Sequence, residues 1–83
     1  AESNKKYRID TTSGPVTMTL PASPTTNDYV YWLDWKSKFS TNKLTIARNG
    51  NKIMGLTEDM DCDKDYESGF LIYTGSDQGW ILY

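Results

Sequence analysis

Four aspartates recur at alternate positions from Asp59 to Asp65 in the stretch Glu58-Asp59-Met60-Asp61-Cys62-Asp63-Lys64-Asp65-Tyr66-Glu67. Oxygen ligands at that spacing could hold a calcium ion, and paired carboxylates could move protons. A calcium loop of the EF-hand kind requires Gly at its sixth position and a bidentate Glu at its twelfth. Counted from Asp59 those positions are Lys64 and Phe70, and counted from Asp61 they are Tyr66 and Ile72. Both registers fail on the two residues that define the motif. The same alternation describes a strand that turns Met60 and Cys62 inward and Asp59, Asp61 and Asp63 to water. We therefore expect no metal or other cofactor, and expect this stretch to act as a charged strand face that discourages edge-to-edge pairing.

Other routes to chemistry are equally thin. The chain has no histidine, the usual acid–base group. Its one cysteine, Cys62, sits among aspartates that suppress the thiolate a nucleophile requires. A single cysteine and no histidine also leave no zinc ligand set, and a disulfide would need another chain. These residues predict a protein that is not an enzyme, with a free, buried thiol suited to synthesis in a reducing compartment.

The richest feature is aromatic. Tyr29, Tyr31, Trp32 and Trp35 crowd into seven residues, Tyr29-Val30-Tyr31-Trp32-Leu33-Asp34-Trp35. Flat rings on a strand could stack on pyranose rings. Trp and Tyr are also enriched at protein interfaces, and alternation sends some of these side chains into a core and leaves others outside. Core plus subunit contact is the favoured reading, and glycan stacking the alternative.

The elements that must position these residues are short strands. Val16–Leu20, Leu44–Arg48 and Tyr7–Asp10 alternate apolar and polar residues at period two. Tyr29–Trp35 and Phe70–Tyr73 are apolar on both faces, as in strands covered twice. β-Branched and aromatic residues dominate, and no ten-residue window carries a helical stripe. Thr12-Ser13-Gly14-Pro15 reads as a turn, and the two prolines of Pro21–Asp28 exclude a regular element there. Asn49-Gly50-Asn51 predicts a hairpin from Leu44–Arg48 to Lys52–Met54. Thr74–Gly79 predicts another from Phe70–Tyr73 to Trp80–Tyr83. The expected fold is all-β: a compact antiparallel sandwich or flattened barrel of seven or eight short strands.

At 83 residues this is a single domain, 1–83, small enough to gain from a partner. Nine basic and eleven acidic residues give a net charge of −2, a poor balance for nucleic acid, and Lys5-Lys6-Tyr7-Arg8 reads as a solvated basic patch. No apolar run approaches the length of a membrane helix, so no membrane insertion is expected. The start at Ala1 and the apolar close Trp80-Ile81-Leu82-Tyr83 suggest a module of something longer.

The ordered set Asp10-Thr11-Thr12-Ser13-Gly14, Val16-Thr17-Met18-Thr19-Leu20-Pro21, Asn27-Asp28 and Leu44-Thr45-Ile46-Ala47-Arg48-Asn49-Gly50 resembles a small domain of tailed-phage structural proteins. The resemblance continues through Ile53-Met54-Gly55, Glu58-Asp59-Met60, Leu71-Ile72-Tyr73-Thr74-Gly75 and Trp80. That domain recurs in tail fibres, tailspikes and adhesin-type appendages, and near the start of a baseplate wedge protein of contractile-tailed phages. The resemblance implies a homotrimeric, non-catalytic connector or attachment module of a virion, made in the host cytoplasm. Its implied partners are copies of itself and other tail proteins, with a bacterial surface glycan as the alternative. It supplies no functional residues to transfer. The large aromatics of Tyr29–Trp35 depart from relatives that are small or polar there.

Overall fold

A computed structural model describes residues 1–83, which form seven strands and no helix. The strands are β1 (Lys5–Ile9), β2 (Val16–Thr19), β3 (Tyr29–Asp34), β4 (Leu44–Ala47), β5 (Met60–Cys62), β6 (Gly69–Tyr73) and β7 (Trp80–Leu82). They make a four-stranded sheet, ordered β1-β3-β6-β7, and a three-stranded sheet, ordered β2-β4-β5. Alternation drives the arrangement. Val30 and Trp32 from β3, Leu71 and Tyr73 from β6, Ile46 and Leu44 from β4, and Cys62 from β5 all turn into one buried cluster.

The sheets are mixed, which corrects the antiparallel expectation. β1 runs parallel to β3 with Tyr7 opposite Trp32, and β2 runs parallel to β4 with Met18 opposite Ile46. The reason is connectivity. After β1 the chain crosses to the smaller sheet to lay down β2, then returns to lay down β3. A strand that revisits a sheet after such a crossover can enter in the same direction, whereas a tight turn forces reversal. The loops 10–15 and 20–28 are therefore bridges between sheets.

The Asn49-Gly50 turn forms, with φ of 51° and 87° and a bond from Asn51 N–H to the Arg48 carbonyl at 3.2 Å. The hairpin expected from it does not. β4 pairs instead with β5, Leu44 opposite Cys62, while Lys52–Met54 travels to the edge of β7. There Trp80 N–H donates to the Lys52 carbonyl at 2.8 Å and Met54 N–H to the Trp80 carbonyl at 2.7 Å. Packing decides this. Ile53 becomes 3% exposed beside Trp80, a burial worth about 1.5–3 kcal/mol that a surface hairpin would forgo. The last hairpin is as expected, with Tyr73 opposite Trp80. Its Gly79 has φ +75°, and a Cβ there would lie 2.0 Å from the Lys52 oxygen, so only glycine lets these two backbones meet.

Three loop aspartates lock the bridges. Asp10 accepts from the Thr12 hydroxyl at 2.6 Å and the Thr12 N–H at 2.9 Å. Asp28 accepts from Thr25 N–H at 2.9 Å, and Asp65 from Ser40 N–H at 3.0 Å and the Ser40 hydroxyl at 2.8 Å. These bonds favour the carboxylate and lower all three pKa values: the Thr12 hydroxyl first for Asp10, and the backbone N–H of Thr25 and of Ser40 first for Asp28 and Asp65. An unfolded aspartate titrates near 4. Between that value and the lower folded ones the unfolded chain binds more protons, so acidification favours unfolding. The urea midpoint should be insensitive to these groups between about pH 5 and 7 and fall below about pH 4. A midpoint that holds steady to about pH 2.5 would contradict this account.

Candidate functional site

The four-stranded sheet turns one face to the core and presents an aromatic surface on the other. In β3 the side chains alternate: Val30, Trp32 and Asp34 are buried, while Tyr31 and Leu33 are each 36% exposed. The register places Tyr31 opposite Phe70 and Tyr29 opposite Ile72. Phe70 is the hub of the outer face. Tyr29 stacks on it with centroids 5.2 Å apart and planes at 12°, Tyr31 meets it edge-on at 5.6 Å, and Tyr83 packs at 5.7 Å and 66°. Each such pair contributes about 0.5–1.5 kcal/mol beyond area burial. The array is therefore a rigid platform, and Tyr83 remains 89% exposed above it.

Cations border this platform. Lys6 Nζ lies 5.8 Å from the Tyr31 ring centroid, and the Arg8 guanidinium and Lys36 Nζ lie 4.9 and 4.3 Å from that of Trp35. Lys6 and Arg8 stand opposite Tyr31 and Leu33 on the edge strand β1. Contacts of this kind are worth about 0.5–1 kcal/mol at exposed positions.

The sequence candidates thus separate. Tyr29 and Tyr31 sit on the platform, and Trp35, 48% exposed, lies at its end. Trp32 does not belong with them. It is 1% exposed and spans the core over Gly69, so it is unavailable to a partner or a sugar. The idea that Tyr29–Trp35 is covered on both faces is likewise corrected, since the outer face is only half covered by its own rings. Phe70, Tyr83, Lys6 and Arg8 were missed as members of the site. Only the pairing of β3 with β6 and of β1 with β3 brings them together, and local sequence does not report pairing.

The aspartate run is dispersed. Asp59 accepts from Arg48 N–H at 2.9 Å, Asp61 pairs with Lys43 Nζ at 3.1 Å and accepts from the Thr45 hydroxyl, and Asp65 holds Ser40. Alternation is as expected: Asp61 is exposed and Cys62 is 1% exposed. Burial foremost, with Glu67, Asp61 and Asp63 adding repulsion, pushes the Cys62 thiol up to about 12, only slightly offset by the nearby Trp32 indole N–H. A thiol held in that state is a poor nucleophile.

One acid is used differently. Asp34 is 3% exposed and accepts three backbone N–H bonds: from Lys38 at 3.1 Å on Oδ1, and from Phe39 at 3.1 Å and Tyr66 at 3.0 Å on Oδ2. It thereby folds the 35–39 turn so that Phe39 enters the core at 0% exposure, and ties down the 63–68 loop beside the platform. The signal was a lone acid inside an apolar run.

No protein-family model and no curated protein matches this sequence.

Proposed function

We infer that the chain is a non-catalytic structural or attachment module of a phage tail fibre, tailspike or baseplate appendage, working as a homotrimer alongside other tail proteins of the virion. The observation that carries this reading is the platform of Tyr29, Tyr31, Phe70 and Tyr83, a flat, rigid, half-exposed face. Flat aromatic faces of this kind gain most by being covered by protein. The ordered segments that resemble phage tail domains supply the setting. Glycan stacking is the weaker reading, because the two cations against Trp35 compete with a sugar for its ring.

The chain is expected to sediment as a trimer at micromolar concentration. Tyr31→Ser combined with Phe70→Ser should weaken assembly at least tenfold while the near-ultraviolet signal of buried Trp32 and Trp80 persists. A monomer across the micromolar range, or a trimer indifferent to both substitutions, would refute the reading.

A further inference from the structure

Charge on the surface is segregated between two flanks. β1 and β2 share one flank, where the Ala1 ammonium donates to the Thr19 carbonyl. β7 and β5 are the opposite edges of their sheets, joined through the Lys52–Met54 segment that pairs with Trp80. The first flank carries Lys6 and Arg8 beside the aromatic platform. The second carries Glu58 and Asp63 beside the exposed Leu56, at 56%. Lys43–Asp61 is the one ion pair within the chain, so none of these four charges is neutralised internally.

We propose that the aromatic platform is covered by a second copy of this chain, docked head to tail, the Lys6–Arg8 rim of one copy lying against the Glu58–Asp63 flank of the next. The occupant follows from complementarity. Each copy bears both an aromatic face with an unpaired basic rim and an acidic flank with an exposed apolar side chain, and the two lie on opposite sides, where they cannot satisfy one another within a chain. A patch that meets a different patch of its copy makes a heterologous contact, which closes into a ring if the rotation permits. Opposed charges set the register of such a contact more than its strength. The proposal rests on the trimer reading and names the two surfaces that would build it.

Charge reversal tests it, read by sedimentation with the near-ultraviolet signal as the check on folding. The wild-type trimer should loosen as sodium chloride rises from about 50 mM to about 0.5 M. Lys6→Glu with Arg8→Glu, and separately Glu58→Lys with Asp63→Lys, should each weaken assembly by about 100-fold or more. All four substitutions in one chain restore opposition with the signs exchanged and should recover the trimer. If a reversed chain fails to fold, the neutral pairs Lys6→Gln with Arg8→Gln and Glu58→Gln with Asp63→Asn should still weaken assembly about tenfold. A trimer unmoved by either reversal, or a quadruple variant that stays monomeric, overturns the proposal and leaves the trimer reading standing. A monomeric wild type overturns both.

Discussion

Replacing Asp34 by alanine is expected to lower unfolding stability by about 3–5 kcal/mol, a large share of what a domain this small has. The substitution removes the only acceptor for three N–H groups at once, those of Lys38, Phe39 and Tyr66. A hydrogen bond to a charged acceptor is worth about 1.5–3 kcal/mol, and a buried donor left bare incurs its full desolvation cost. The loss also spreads to packing, because Phe39 reaches the core only while its turn is held. Asparagine separates these contributions. Its single carbonyl oxygen can serve Phe39 and Tyr66, but its amide would then confront the Lys38 N–H donor. Asp34→Asn should therefore lie between wild type and alanine, with a loss of about 1–3 kcal/mol. Urea denaturation measures both, and an alanine variant within about 1 kcal/mol of wild type would mean that Asp34 holds nothing essential.

The second large effect is expected at Gly69. It stands opposite Trp32 across the β3–β6 pairing, and a Cβ built there would lie 2.2 Å from Cζ2 and 2.6 Å from Cη2 of the indole. The backbone at Gly69 is not in the left-handed region, so the requirement for glycine comes entirely from the ring. Trp32 is fully enclosed and cannot withdraw. Gly69→Ala should cost about 3 kcal/mol or more, at the upper end for an overfilled core. The cause can be isolated with a double mutant. Trp32→Leu alone leaves a cavity, yet combined with Gly69→Ala it gives the new methyl group room. The pair should be less destabilised than the sum of the singles by at least about 1 kcal/mol. Simple additivity would show that the glycine is needed for another reason.

Both effects mark where sequence reading succeeded and where it stopped. Alternation in Val16–Leu20, Leu44–Arg48 and Met60–Cys62 reported which residues face inward, because period two is a local property of a strand. The all-β class and the last hairpin were legible for that reason. Pairing was not. Leu44 opposite Cys62 and Lys5 opposite Val30 are contacts between distant segments, and the Asn49-Gly50 turn carried no information about where Lys52–Met54 would go. The site suffered the same fate: Tyr29 and Tyr31 could be named in advance, but Phe70 became their hub only through register. Trp32 was grouped with them because its neighbours are aromatic, although its place in the alternation put it on the other face.

The chain's shuttling between sheets has a kinetic consequence. β1 must wait for β3, and β2 for β4, so neither of the first two strands can add to a neighbour as it forms. The core that covers Met18 also contains Trp80, so early segments remain without a dry face until nearly the last strand arrives. Assembly of that kind has high contact order, which makes it slow and all-or-none and leaves no stable sub-fragment along the way.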